Sequence, residues 1–326
     1  MAVRMSDSTL WSWGQNTYCQ LGTGECGPAQ RDPTRAFPLP SFTQVVAGQG
    51  HTCGMSGGQA YCWGWDEDGQ LGNGRTAFAY RGALLVPLDG ITRLEAGYAT
   101  TCALRTDGSV WCWGNAANGL VAGSGGGAQP TPMPLGAFAD AVQVAAGREV
   151  CVRRSTGQVH CSRFGAAGST WPLEVAAWAG ATDVDVGSEH ACAIVDGRVS
   201  CIGSNRVGQL GNGTTGTWGG PTSIFLGERA VDITLATSTS CARVESGRVY
   251  CWGSGSSGLT GPGGSWTTTS PLAIPSTSGS QWLACGQGTC CVHFGGTDLR
   301  CWGDNFNGQL GDRGTTDRTS PFAVVW

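Results

Sequence analysis

Hydrophobic and polar residues alternate along this chain in short runs that suit β-strands. Val142-Gln143-Val144-Ala145 and Val110-Trp111-Cys112-Trp113 are typical, with glycine-rich turns nearby. In such runs successive side chains point to opposite faces of a sheet. No stretch carries a helical period over a useful length, and no apolar run approaches the roughly eighteen residues of a membrane span. The pattern predicts an all-β fold without membrane insertion.

The strand signals belong to a unit that repeats along the chain. One copy extends from Val45 to Gly74. Further copies begin at Leu94, Val144, Val184, Ile233 and Leu283. Counting the position that Trp63 occupies gives seven units of about 47 residues, a length typical of a four-stranded propeller blade. We therefore expect residues 1–326 to form a single domain, a seven-bladed β-propeller with four-stranded blades.

The two chain ends suggest how the ring closes. The segment Ala2 to Gly14 aligns with Cys102 to Gly114, so the chain begins in the middle of a unit. We expect the last residues, Ser320 to Trp326, to supply the missing segment, so that one blade is closed by strands from both termini.

Cysteines recur in pairs whose separation follows the length of the intervening turn. Cys53 and Cys62 are nine residues apart and leave the two-residue turn Gly57-Gly58, whereas pairs ten apart leave three residues including a glycine. Both spacings place the cysteines opposite each other on a hairpin, within disulfide distance. The alternative is that these are free buried thiols, which pack as small apolar groups. The predicted pairs are Cys53 with Cys62, Cys102 with Cys112, Cys151 with Cys161, Cys192 with Cys201, Cys241 with Cys251 and Cys291 with Cys301, while Cys19 with Cys26 and Cys285 with Cys290 complete the set.

The even use of sixteen cysteines is typical of an oxidising compartment. We therefore expect a secreted, periplasmic or cell-surface protein. Met1 to Gln15 has no apolar core of a signal peptide, so we expect a mature domain derived from a longer precursor.

One sequence motif carries a family resemblance. Cys301-Trp302-Gly303-Asp304-Asn305-Phe306-Asn307-Gly308-Gln309-Leu310-Gly311 is its cleanest copy, and in the consensus the Cys-Trp-Gly ends the segment Asp-Gly-x-Val-x-Cys-Trp-Gly. The pattern resembles the repeat of the regulator of chromosome condensation (RCC1) family, as a disulfide-rich variant. The resemblance implies a seven-bladed β-propeller. The fourth unit departs from it, with Cys161-Ser162-Arg163 in place of the tryptophan motif.

Charge argues against a nucleic-acid partner. The net charge is −4, and all nineteen basic residues are arginines without a basic run. Such a chain offers no electrostatic footprint for phosphate backbones. No His-Glu-x-x-His motif, Cys-x-x-Cys motif or catalytic serine elbow is present, so we expect no metal, no cofactor and no catalytic residue.

Two sets of loops vary between units and are candidates for recognition. The first lies just before the first cysteine of each unit, and the family resemblance implies that it is the functional rim, since two relatives, an inhibitor and a photoreceptor, place contact residues there. Its candidate residues are Gln49, His51, Tyr98, Thr100, Arg148, Glu149, Glu189 and His190. The alternative for His51 and His190 is a hydrogen-bonded role inside the blade.

The second set follows the Gly-Gln-Leu-Gly motif and carries aromatic residues. Trp218 and Trp266 are the candidates there, because exposed aromatic side chains stack on sugars or anchor protein partners. Alternatively, they fold back over the blade edge.

Together these features predict a non-catalytic module that binds a protein or a glycan through one rim of the propeller. One alternative is an inhibitor of an extracellular hydrolase. Another is a carbohydrate-active enzyme that uses carboxylates at the channel mouth.

Overall fold

A computed structural model describes residues 2–6, 9–36, 40–116, 127–162 and 173–326, with side chains from residue 9 onward. Arg163, part of the degraded fourth motif, lies outside these residues. Six four-stranded antiparallel sheets and one three-stranded sheet follow one another along the chain. The fold is therefore an all-β propeller with four-stranded blades.

The first three sheets hold eleven strands. The first sheet contains β1 (Ala2–Ser6), β2 (Thr9–Asn16) and β3 (Gly27–Arg35). The second contains β4 (Gln44–Ala47), β5 (His51–Ser56), β6 (Gln59–Asp66) and β7 (Ala77–Leu85). The third contains β8 (Ile91–Ala96), β9 (Thr100–Arg105), β10 (Val110–Asn115) and β11 (Ala128–Pro134).

The remaining four sheets follow the same order. The fourth contains β12 (Ala141–Ala146), β13 (Val150–Arg154), β14 (Val159–Cys161) and β15 (Leu173–Glu174). The fifth contains β16 (Asp183–Val186), β17 (His190–Val195), β18 (Arg198–Asn205) and β19 (Gly216–Ile224). The sixth contains β20 (Ala230–Leu235), β21 (Thr239–Val244), β22 (Val249–Gly253) and β23 (Thr268–Ile274). The last contains β24 (Trp282–Cys285), β25 (Thr289–His293), β26 (Leu299–Gly303) and β27 (Arg318–Ala323).

Two single-turn 3₁₀ helices, Ala176–Trp178 and Ser256–Gly258, interrupt the strands. In the part of the chain that the structure describes, no helix has the length and apolar character needed to cross a membrane.

The hairpin register places the paired cysteines face to face, as predicted. All eight predicted disulfides form, including Cys19 with Cys26 and Cys285 with Cys290. The predicted pairing is therefore confirmed, and the alternative of free buried thiols is wrong. Within the four-stranded sheets the register sets Cys53 opposite Cys62, Cys102 opposite Cys112, Cys151 opposite Cys161, Cys192 opposite Cys201, Cys241 opposite Cys251 and Cys291 opposite Cys301.

The apolar core lies between neighbouring sheets. Cys192 and Val199 of the fifth sheet, for example, pack with Ile233 and Ala242 of the sixth. The first strand of each four-stranded sheet lines a central channel, and we call β4, β8, β12, β16, β20 and β24 the inner strands.

The prediction that strands from both termini share one blade is wrong for the described residues. β27 pairs with β26, so the C-terminal segment is the outer strand of the last sheet. The reason is visible in the sequence, because Thr319-Ser320-Pro321-Phe322-Ala323 repeats Thr269-Ser270-Pro271-Leu272-Ala273 of the outer strand β23. The chain ends meet instead through the ring of Trp326, which packs edge-on against Trp13 with 5.6 Å between ring centres.

Candidate functional site

One end of the channel is bordered by six short loops, which we call the rim loops. They comprise residues 48–50, 97–99, 147–149, 187–189, 236–238 and 286–288, each following an inner strand. A Cβ atom on Gly97 would collide with the carbonyl oxygen of Gly147, and one on Gly147 with that of Gly187. Only glycine allows backbones to approach so closely. The loops are therefore packed side by side around the channel opening.

Backbone hydrogen bonds fix neighbouring rim loops to each other. The Tyr98 N–H donates to the Gly147 carbonyl over 3.2 Å, and the Ser188 N–H donates to the Thr237 carbonyl over 3.2 Å. Since these hydrogen bonds fix the loop backbones, the Cα positions from which the rim side chains extend are fixed relative to one another.

A cavity of about 270 Å³ lies inside this rim. Gln49, Tyr98 and Arg148 line it, and Arg148 and Asp304 are its charged residues. The Oε1 atom of Gln49 is buried and lacks a hydrogen-bond partner among the described residues. The cavity wall is thus polar, although the Gln49 oxygen itself is closed to solvent.

Tyr98 and Arg148 form a pair across two rim loops. The guanidinium carbon of Arg148 lies 4.7 Å from the centre of the Tyr98 ring, and Tyr98 is 37% exposed. This stacking holds an aromatic face and a positive charge together at the surface. Arginine and tyrosine are, with tryptophan, the residue types enriched among the side chains that contribute most to protein–protein binding.

His51 and His190 are fully buried and join adjacent sheets. The His51 Nε2 atom lies 2.9 Å from the Thr101 hydroxyl, which itself donates to the Gln70 carbonyl over 2.8 Å. Nε2 of His51 is therefore the donor, and the ring is neutral. Burial lowers the pKa of His51 to about 4 and that of His190 to about 3. His190 repeats the arrangement with Ser240.

Three more candidates take part in structural hydrogen bonds. Thr100 is buried and its hydroxyl donates to the Asn115 carbonyl. The Glu149 carboxylate accepts a 2.5 Å bond from the Ser162 hydroxyl, at the position where other units carry tryptophan. The Glu189 carbonyl accepts the Ser204 N–H, while its side chain is exposed.

The aromatic candidates lie away from the channel. Trp218 is on the outer strand β19 and is 45% exposed, and Trp266 precedes β23 and is 80% exposed. Neither lines a channel cavity. Of the residues predicted to bind a partner, the structure therefore brings only Gln49, Tyr98 and Arg148 together at the rim cavity.

All the disulfide cysteines except Cys26, which is exposed, and Cys285 are buried in the blades and do not belong to this site. Cys201 on β18 and Cys251 on β22 are fully buried, so a partner at the surface could not reach their sulfur atoms. Cys285 is different, because it lines the rim cavity. The disulfides therefore stiffen the sheets that carry the rim loops.

Sequence reasoning missed a second cavity of about 510 Å³ deeper in the channel. Its wall contains one arginine and four carboxylates: Arg93, Glu95, Asp183, Asp185 and Asp232. Burial raises the pKa of Asp185 to about 8, and it also raises those of Glu95 and Asp232. A comparison of the second and fourth residues before each rim glycine, and before Ala236 at the equivalent position, would have located this cluster.

The channel carboxylates connect one inner strand to the next. Asp183 accepts a hydrogen bond from the Ile233 N–H over 3.1 Å, and Asp185 accepts one from the Leu235 N–H over 2.7 Å. Gln44 makes the same kind of link, accepting from the Leu94 N–H and donating to the Leu94 carbonyl. We call these side-chain links between inner strands latches.

One cluster superficially resembles a metal site. The sulfur atoms of Cys241, Cys285 and Cys290 lie within 4.8 Å of one another. All three are in disulfides, so they cannot supply the thiolates that a metal requires.

Comparison with known proteins identifies the repeat. Models of the regulator of chromosome condensation (RCC1) repeat match residues 7–55, 91–119 and 237–259. The probable E3 ubiquitin-protein ligase HERC6 of Homo sapiens is 33% identical over 141 residues, which cover 40% of this chain and 13% of HERC6. The ultraviolet-B receptor UVR8 of Arabidopsis thaliana is 30% identical over 132 residues, which cover 36% of this chain and 28% of UVR8. The matched segments thus span less than a third of these relatives.

Solved structures share the fold over nearly the whole chain. Yeast RCC1 (Prp20), in its complex with Kap60, superposes with a TM-score of 0.83 at 18% identity, covering 97% of this chain and 83% of that protein. Human WBSCR16 superposes with a TM-score of 0.84 at 20% identity, covering 98% of this chain and 95% of that protein.

Proposed function

Because this chain is an RCC1-like repeat protein, we propose that it is a non-catalytic binding module that recognises a partner protein through its rim loops. We count the three-stranded sheet as a seventh blade, so that residues 1–326 form one propeller domain. The exposed Tyr98–Arg148 pair beside the rim cavity carries the proposal. Buried His51, Thr100 and His190 are left out of it, because their side chains do not reach the surface.

A protein partner agrees with the character of the rim. An aromatic ring stacked under a guanidinium gives a large contact area with little loss of side-chain freedom. Among the similar structures, yeast RCC1 is itself seen with a bound protein, Kap60. The absence of lysine and the net charge of −4 argue against a nucleic-acid partner.

We propose that the protein works outside the reducing cell interior, as a secreted, periplasmic or surface-displayed module. The support is chemical, because the disulfides occupy every cysteine of the chain. Such bonds persist in oxidising compartments and are reduced by cytosolic thiols.

The channel carboxylates favour a structural role over catalysis. Both oxygens of Asp185 accept backbone N–H groups, from Val186 and from Leu235. Asp183 also accepts on both oxygens, from Gln143 and Val184 on one and from Ile233 on the other. Carboxylates that hold neighbouring strands in this way are poorly placed to move a proton to or from a substrate. The ligase activity named for HERC6 is not carried over, since the match covers 13% of that protein.

The decisive experiment uses the whole chain as bait for proteins of an extracellular fraction. We expect a partner that binds wild-type protein to lose at least tenfold in affinity with Tyr98→Ala/Arg148→Ala. Trp218→Ala is the matched control, since it removes an exposed aromatic residue away from the rim. A partner that binds the rim variant and wild type equally would contradict the proposal.

Wild-type protein, the Tyr98→Ala/Arg148→Ala rim variant and Trp218→Ala also distinguish a partner protein from a hydrolase target and from a glycan. Inhibition of a purified secreted hydrolase, lost in the rim variant, would identify the partner as that enzyme. If the protein binds a glycan array or turns over a glycan, and the rim variant does so equally well, the ligand is a glycan and the proposed protein partner is wrong.

A further inference from the structure

Three aromatic side chains meet where the first and second sheets adjoin. The centre of the Tyr18 ring lies 5.6 Å from that of Trp65 and 5.4 Å from that of Phe78. Phe78 is 61% exposed, and the other two side chains are half-buried. A Cβ atom on Gly50 would lie 3.1 Å from side-chain atoms of both Tyr18 and Trp65, so the cluster borders the rim loop 48–50. We call the three residues the aromatic junction.

The repeat itself does not explain these aromatic residues. Trp65 directly follows Gly64, and the units that keep this glycine otherwise have Gln15, Asn115, Ser204, Ser254 and Asp304 there. Tyr18 is the fourth residue after Gly14, where other units have Asp68, Asn118, Val207, Ser257 and Asn307. Aromatic residues at both positions are thus concentrated at one boundary between sheets, although these other units form their part of the fold without them.

A disulfide outside the hairpins holds the loop that carries Tyr18. Cys19 pairs with Cys26, and its φ of 63° lies in the left-handed region, where the equivalent residues are Gly69, Gly208 and Gly308. A Cβ atom on Gly69 would lie only 2.5 Å from the Cα atom of Pro130 on the next outer strand, β11. Because Cys19 has a Cβ atom, its loop cannot pack as closely against β7. Residues held in costly backbone conformations are concentrated at functional sites.

The two segments that carry Tyr18 and Trp65 are acidic. Residues 15–26 and 65–74 contain no basic residue. Their carboxylates are Glu25, Asp66, Glu67 and Asp68. Glu67 is exposed and accepts a 3.0 Å hydrogen bond from the indole N–H of Trp65, which keeps a carboxylate beside the aromatic rings. Negative charge next to aromatic faces favours a cationic group.

Arginines in other parts of the chain show how such a place is filled. Several of them stack on an aromatic ring and pair with a carboxylate at the same time: Arg105 with Trp111 and Asp107, Arg300 with Phe294 and Asp298, and Arg318 with Phe322 and Asp312. At the aromatic junction, Arg75 and Arg81 are the next basic residues along the chain. Among the described residues, neither stacks on any of the three rings. The junction therefore has the rings and the carboxylate of this arrangement without its guanidinium.

We propose that the aromatic junction binds an arginine side chain of a partner protein. The guanidinium stacks on the exposed aromatic surface and donates hydrogen bonds to the Glu67 carboxylate, as arginines of this chain do at their own rings. Arginine suits this place better than lysine, because its planar group can stack and donate hydrogen bonds at once. The Tyr98–Arg148 pair lies on other rim loops, so this proposal does not rest on the proposed rim function.

The test follows the indole N–H of Trp65, because this group bonds to Glu67 and belongs to the site. Whole protein with nitrogen-15-labelled tryptophan gives an indole signal for each tryptophan, and Trp65→Phe identifies the Trp65 signal. The tripeptide acetyl-Gly-Arg-Gly-amide should shift this signal saturably at millimolar concentration. The same tripeptide with citrulline, which keeps the shape of arginine and lacks its charge, should bind about fivefold more weakly.

Two variants each remove one member of the site. Phe78→Ala removes the most exposed ring, and Glu67→Gln removes the charge but keeps an oxygen that can accept the Trp65 N–H. Each should weaken binding of the arginine peptide by about threefold, with an unchanged melting temperature. Phe306→Ala and Glu189→Gln are the matched controls, since these side chains are exposed on other loops, and both should bind the peptide as wild type does.

Three results would overturn the proposal. The first is a Trp65 signal that does not move with the arginine peptide, and the second is equal binding of the citrulline peptide. The third is equal binding by Phe78→Ala and Phe306→Ala. Tyr98→Ala/Arg148→Ala should bind the arginine peptide as wild type does, so that failure of the rim proposal and failure of the junction proposal give different results.

Discussion

The indole N–H of Trp13 donates a 3.1 Å hydrogen bond to the backbone carbonyl of Gln309, although 296 residues separate them in the sequence. The first and last sheets are thus joined by the same tryptophan-to-glutamine hydrogen bond that joins consecutive sheets. Both residues belong to the repeated motif, so the repeat itself encodes ring closure. The same bond recurs between neighbouring sheets, where it joins Trp63 to Gln20, Trp113 to Gln70 and Trp252 to Gln209.

Trp13→Phe tests this closing contact. The phenyl ring retains much of the apolar burial, but the buried Gln309 carbonyl loses its donor, which costs about 1–3 kcal/mol. We expect a loss of that size in the free energy of unfolding, measured by urea denaturation. Trp218→Phe, on an exposed side chain, should stay within about 0.5 kcal/mol of wild type. Equal stability of the two variants would mean that the bond does not contribute to closure.

The sequence predicted features that depend on one repeat unit. Cysteine spacing and turn length are both local, and together they predicted the cross-strand disulfides, such as those that join Cys192 to Cys201 and Cys241 to Cys251. The alternation in Val110-Trp111-Cys112-Trp113 likewise falls within strand β10.

Features that depend on two units were missed or misjudged. The latches of Asp183 and Asp185 reach backbone groups about fifty residues away, and no single-unit pattern reports such a contact. The variable loop before Cys53 makes His51 a binding candidate in the sequence, yet its ring turns inward to Thr101 of the next sheet. The position of Ser320 to Trp326 at the chain end predicts a place in the first blade, although its sequence matches outer strand β23 and it forms the outer strand of the last sheet.

Acid should destabilise the protein through its two buried histidines. Their folded-state pKa values, about 4 for His51 and about 3 for His190, lie below the ordinary value of 6.5. Their contribution is therefore complete above pH 6.5 and is lost as the pH falls through 4 and 3, because the unfolded chain binds the protons first. For His51 the loss is about 3 kcal/mol. Urea unfolding at a series of pH values between about 7 and 3 measures it.

His51→Gln/His190→Gln checks that these rings cause the acid sensitivity. Glutamine can donate to Thr101 and Ser240 without titrating, so the variant should lose less stability between about pH 7 and pH 4 than wild type does. His293→Gln, on strand β25 of the last sheet, should keep the wild-type profile. If the double variant keeps the wild-type profile as well, other groups govern acid unfolding.

Alkaline conditions should act on Asp185 in the opposite direction. Its pKa is raised from 3.8 to about 8 by burial, with smaller contributions from Glu95 and Asp183 nearby. Its contribution to stability is therefore complete below about pH 4 and declines as the pH rises through 8. Asp185→Asn should flatten the decline in unfolding free energy between about pH 4 and pH 8. Asp107→Asn is the control, since the pKa of exposed Asp107 is lowered and it stays ionised over that range.

Reduction should open the disulfides in the order of their exposure. A thiolate must reach a sulfur atom to attack it, and Cys26 is exposed while Cys285 is half-buried on the channel wall; the other cysteines are buried. Limited reduction followed by alkylation and peptide mass spectrometry should therefore label the Cys19–Cys26 pair first and the Cys285–Cys290 pair second. In concentrated urea the difference should vanish, because unfolding exposes every pair. If the cysteines of the native protein can be alkylated without any reductant, the cross-strand disulfides are absent and the proposed extracellular location loses its support.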